Sequence, residues 1–131
     1  MFAPDSQSSL ASSPMGHLTT HVLDISAGLP AAGIRIEVHE LSLSAPTLLV
    51  STATGKDGRC AEPLLAGAAF RAGRYALTFY LAEYFRSRGL PLPEPAFIED
   101  AVIRIGIAQP TQHYHVPLLV SPWSYSVYRG G

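Results

Sequence analysis

The chain has 131 residues, 47% of them apolar, enough for one domain with a real core. Its formal charge is −1, from 9 basic and 10 acidic residues, which argues against a nucleic-acid or anionic-membrane partner, since either asks for a basic surface. No run approaches the ~20 apolar residues of a membrane-spanning helix, and Cys60 is the only cysteine, so no intrachain disulfide can form and a cytoplasmic setting is expected.

Residues 1–14 are rich in serine and proline, without a basic n-region or a continuous apolar stretch. They read as a flexible arm rather than a signal peptide, and the domain as 15–131. LTTHVLDI is the first strand, and it puts His21 on the face of Leu23 and Ile25. SAGLPAAG is a turn. GIRIEVHEL alternates, with Ile34, Ile36 and Val38 on one face and Arg35, Glu37 and His39 on the other. LLVSTAT is a further strand. GKDG then turns, with glycine where a positive φ is needed. GRYALTFYL alternates again through Tyr75, Leu77, Phe79 and Leu81.

LAEYFRSRG breaks this pattern. It has no β-branched residue, its apolar positions fit one side of a helix, and Gly89 suits a C-terminal cap. LPLPEPAF cannot be a central strand, because proline lacks the ladder donor. AVIRIGIA, YHVPLLVSP and WSYSVYR complete the set. Seven or eight short strands with one short helix predict an all-β fold, an antiparallel β-sandwich.

His113 and His115 are two apart on an expected strand and so share a side. An HxH pair is half of many metal sites, but zinc needs three or four ligands. Here the rest would have to come from His21, His17 or a carboxylate. The plain alternative is histidines that only hydrogen-bond within a sheet. His21 alone reads as a satisfied core histidine, Arg59 alone as a solvated cation, and Cys60 as a small apolar filler.

Three segments change that weighing: LTTHVLDISAGLPAAGIRIEVHEL, the T-x-x-D-G-R element at Thr54–Arg59, and HYHVPLLVSPWSYSVYRGG at the end. Together they make the chain resemble the transthyretin-like family, and within it the 5-hydroxyisourate hydrolases, over about residues 17–131. The resemblance implies a transthyretin-like sandwich that hydrolyses 5-hydroxyisourate to 2-oxo-4-hydroxy-4-carboxy-5-ureidoimidazoline in urate catabolism, with no cofactor and no metal. It matches His21, Arg59 and His115 to the family's catalytic His, Arg and His. Tyr128, Arg129 and Gly130 match the start of a terminal Y-R-G-S, and Gly131 stands where the family has serine. These four, with His113 beside the pocket, are the expected substrate-binding positions. The resemblance also implies a homotetramer, a dimer of dimers, with the terminal aromatics Trp123, Tyr125 and Tyr128 near its interfaces. The alternative within the same fold is a non-catalytic carrier of a small aromatic ligand.

Overall fold

A computed structural model describes residues 16–131; the arm expected over 1–14 lies outside the described residues. The elements run β1 (Leu18–Asp24), β2 (Leu29–Pro30), β3 (Arg35–Leu41), β4 (Thr47–Ala53), a short 3₁₀ turn at Gly67–Ala69, β5 (Gly73–Phe79), α1 (Leu81–Ser87), β6 (Ala101–Ile107), β7 (Tyr114–Val120) and β8 (Tyr125–Val127). They form two four-stranded sheets, ordered β2-β1-β7-β8 and β4-β3-β5-β6. Among the described residues the expected sandwich and its one α-helix are therefore present.

The core lies between the sheets, where period-2 alternation aims one face of each strand. Ile36 and Val38 from β3, Tyr75, Leu77 and Phe79 from β5, and Leu118 and Val120 from β7 are fully buried there. Each such side chain contributes about 1.5–3 kcal/mol by leaving water, so the register cannot slip by one residue without exposing the whole set. Helix α1 buries Leu81, Ala82, Tyr84 and Phe85, and Gly89 follows its last turn at φ +86°, the left-handed conformation expected of it.

Two features were not legible beforehand. The SAGLPAAG turn contains β2, whose Leu29 and Pro30 pair with Asp24 and Leu23. And β1 pairs with β7 in parallel, with Thr19 opposite His115 and His21 opposite Pro117. All other strand pairs are antiparallel. Pairing the first strand with a strand near the end of the chain requires only that the connections between them run through the second sheet, which they do.

One expectation is corrected. His21 does share a face with Leu23, but that is the partly exposed outer face of β1; the core face carries Leu18, Thr20, Val22 and Asp24. Ile25, placed with them by alternation, is 56% exposed. The apolar neighbours of His21 are thus not core, and its ring needs no burial cost to be met. The polar pair on the core face is satisfied instead. Thr20 Oγ1 donates to the Val116 carbonyl at 2.7 Å. Asp24 Oδ1 accepts from the amide and hydroxyl of Ser26 and the amide of Ala27, and Oδ2 accepts from Tyr84 Oη at 2.8 Å. Burial alone would push the Asp24 carboxyl up, but these donors outweigh it and hold it below its ordinary value. Burial, and after it the same contact with Asp24, push Tyr84 up to about 12.

Candidate active site

The outer face of the β1–β7 pair carries Thr19 and His21 on one strand and His115 and Pro117 on the other. His21 and His115 are therefore diagonal neighbours, offset by one side-chain repeat. Two irregular segments flank them. Arg59, just after β4, bridges His21 along the free edge of β1, and Gly130 bridges His115 beyond β7. Four residues from distant parts of the chain thus form one row across a sheet: Arg59, His21, His115 and Gly130.

The turn that delivers Arg59 is built by its sequence. Gly58 has φ +81°, its amide donates to the Gly55 carbonyl, and the Gly55 amide donates to the Arg59 carbonyl. The Arg59 amide donates to Asp57 Oδ1 at 3.0 Å, a short-range aspartate turn. Gly58 is also pressed against β1: its carbonyl accepts from the Val22 amide at 2.9 Å. A Cβ there would overlap the Val22 carbonyl oxygen and lie 3.2 Å from Cδ2 of His21. With the turn fixed this way, His21 Nε2 donates to the Asp57 carbonyl at 2.8 Å. A carbonyl only accepts, so the proton is on Nε2 and Nδ1 faces away from the turn.

His115 is held differently. Its Nδ1 is 2.8 Å from Thr19 Oγ1, and its carbonyl accepts from the Gly130 amide at 2.7 Å. A Cβ on Gly130 would stand 2.9 Å from His115 Cδ2, so the terminal segment approaches this ring only because Gly130 has none. Burial pulls the His115 imidazole below its ordinary pKa, and the nearby charges of Arg59 and His21 pull the same way; a hydrogen bond to the Thr19 backbone works against them. The result is a histidine whose neutral form is favoured relative to a free imidazole.

The remaining expected positions divide. Arg129 turns away from the histidine row. Its guanidinium lies 4.1 Å from the centre of the Tyr114 ring and donates to the His113 carbonyl at 2.9 Å and to Gln112 Oε1 at 3.1 Å. It pins the terminal segment to the start of β7 and so brings Gly130 to His115. Tyr128 lines a separate apolar cleft of about 310 Å³ with Ile103, Ile105, Val116 and Val127. His113 precedes β7, exposed, and stacks on His17 with ring centres 4.9 Å apart, its Nδ1 accepting from the His17 amide at 3.2 Å. The zinc set weighed from sequence does not assemble: among the described residues no three metal-ligating side chains come together. A smaller cleft of about 210 Å³ opens beside the row, lined by Thr19, Arg59, Cys60 and Glu62 among others. Burial pushes the Cys60 thiol above its ordinary value, which leaves little reactive thiolate.

Sequence reasoning missed Thr19, Gly58 and the Asp57 carbonyl as parts of the site. Alternation puts Thr19 on the face of His21, but only the parallel register sets it beside His115.

A two-sheet sandwich with two histidines and an arginine meeting on one outer sheet face defines a class. The family model described as HIUase/Transthyretin family matches residues 18–130, and the chain belongs to that family. Among its relatives, the 5-hydroxyisourate hydrolase of Mesorhizobium japonicum is 56% identical over 115 residues, 88% of this chain and 92% of that one. A crystal structure of (S)-allantoin synthase superposes with a TM-score of 0.85 at 45% identity, covering 92% of this chain and 45% of that longer one. The structure of Klebsiella pneumoniae 5-hydroxyisourate hydrolase superposes with a TM-score of 0.74 at 32% identity, covering 89% of this chain and all (100%) of that one.

Proposed function

We propose that this chain hydrolyses 5-hydroxyisourate, a redox-neutral ring opening, and that His115, His21 and Arg59 carry the reaction. One observation supports the assignment most: His115 is the histidine whose surroundings disfavour its protonated form, and Arg59 and His21 are the causes after burial. A histidine whose neutral form is favoured by burial and by the neighbouring guanidinium suits a base. His115 takes the proton of a water through Nε2 as the water oxygen bonds to a ring carbonyl carbon. The guanidinium of Arg59 faces the oxygen on which charge develops. The ring C–N bond then breaks, and the leaving nitrogen takes the Nδ1 proton of His21, which enters this step as the imidazolium with its Nε2–H kept on the Asp57 carbonyl. Passing one proton from His115 to His21 through solvent resets the pair.

The carrier alternative is less well supported. A carrier cleft gains nothing from an arginine and two histidines held at one place, whereas hydrolysis uses all three. A homotetramer, a dimer of dimers, is consistent with the terminal aromatics: Trp123 is 60% and Tyr128 59% exposed in the single chain, as residues waiting for another subunit would be. A cytoplasmic location fits a lone cysteine.

The test is the absorbance decay of freshly made 5-hydroxyisourate with and without chelator-treated protein. Acceleration is expected, with an acidic limb of kcat/KM below the ordinary histidine value. The sign follows from the lowered pKa: the base stays unprotonated until the pH falls past its depressed value. Decay no faster than the spontaneous rate would overturn the assignment.

A further inference from the structure

We propose that Thr19 is the positioning residue of His115: its hydroxyl accepts the Nδ1 proton, orients the ring and leaves the Nε2 lone pair facing the substrate. The proposal rests on the reading of His115 as the base.

The geometry comes from the parallel β1–β7 pair, which sets Thr19 directly opposite His115 with Oγ1 2.8 Å from Nδ1. Among the described residues this hydroxyl is the side-chain partner of Nδ1, and the Thr19 backbone also lies within reach of the ring. Threonine suits the position, because its branched Cβ restricts χ1 on a strand and so fixes where the hydroxyl points. The neighbouring Thr20 is a built-in contrast. Its hydroxyl is buried on the opposite face and spent on the Val116 carbonyl, a contact that serves the sheet alone.

A neutral imidazole with a free Nδ1 distributes its proton between both nitrogens, and only the form protonated at Nδ1 can act as a base through Nε2. An acceptor at Nδ1 selects that form. It also keeps its bond when the ring becomes imidazolium, so nothing has to reorganise during proton transfer. Gly130 supplies the other half of the seat, packing on the Cδ2 edge of the ring. The charged and titratable groups around His115 are Arg59 on the segment after β4 and His21 on β1. On the terminal segment, Arg129 is turned onto Tyr114. His113 and His17 stack on each other at the strand starts.

The experiment compares wild type, Thr19→Val, Thr19→Ser and Thr20→Val in two measurements. The first is nitrogen NMR of the histidine rings, with His115 assigned by its loss in His115→Gln. The neutral wild-type ring should carry its proton on Nδ1. Thr19→Val should move it toward Nε2 and lower the ring's apparent pKa, because the charged form loses an acceptor. Thr20→Val should lower the unfolding midpoint and leave the His115 tautomer as it is. The second is steady-state kinetics. Thr19→Val should lower kcat about 10- to 100-fold with KM nearly unchanged, shift the acidic limb to lower pH, and be rescued to within a few-fold by Thr19→Ser. A wild-type ring protonated on Nε2, or a Thr19→Val protein with wild-type tautomer, kcat and pH profile, would overturn the proposal. If wild type shows no hydrolysis at all, the reading of the site fails, and the tautomer measurement alone decides Thr19.

Discussion

The seats of His21 and His115 look alike at first. Each ring lies on the same sheet face, each has one nitrogen in a hydrogen bond of 2.8 Å, and each has its Cδ2 edge against a glycine that brings an irregular segment close. The difference is in what holds them. His21 is tied to a backbone carbonyl in a tight turn and backed by a glycine with φ +81°. That arrangement is rigid and admits one neutral tautomer. His115 is tied to a side-chain hydroxyl and backed by the terminal segment, itself pinned by Arg129 on Tyr114. That arrangement depends on replaceable side chains. The first seat is built from the fold and the second from side chains laid on it, so damage should register as lost stability at one and lost activity at the other.

The largest effect should come from removing the rings. His115→Ala and His21→Ala should each lower turnover by about 10²–10⁴-fold with the circular dichroism spectrum unchanged, since both rings are on the outer face. If both variants kept full turnover, the catalytic assignment of the pair would be wrong.

The next tests set the two glycines against each other. Gly58→Ala combines a left-handed backbone with overlap on the Val22 carbonyl, and should cost more than about 2 kcal/mol in denaturant unfolding. Gly130→Ala meets only the edges of His115 and Pro117. It should leave unfolding within about 1 kcal/mol of wild type but displace the ring and lower kcat by roughly 10-fold or more. Equal stability losses at the two positions would dissolve the contrast.

The smallest effect is expected at the last residue. A Cβ on Gly131 meets nothing within 4 Å, so Gly131→Ser should change stability by less than about 0.5 kcal/mol. Turnover then reads directly what a terminal hydroxyl would add: a large gain marks the glycine site as impaired, and none marks the hydroxyl as dispensable.

Much of this was legible beforehand because alternation is a local property. Ile36 and Val38, or Tyr75, Leu77 and Phe79, announce a buried face by spacing alone, and Gly89 announces a helix end. His21, Arg59 and His115 were legible from short motifs that resemble a known family. What alternation cannot say is which face of β1 is the core, because Leu18 and Val22 on one side and Leu23 and Ile25 on the other are equally apolar by type. The packed sheets decide that, through Thr20 and Asp24 finding buried partners.

The amino-acid sequence by itself determined the strands other than β2, the helix, the turn at Gly58 and the residue types available for proton transfer, since each depends on neighbours a few positions away. Only the tertiary structure decided that β1 and β7 run parallel, and hence that Thr19 faces His115, that Arg129 serves the terminal segment, and that Arg59 and Gly130 close the row from its two ends. Those contacts join residues as much as 96 positions apart. Such pairings are selected by the burial of whole sheets rather than by any local preference, so no window along the chain contains them.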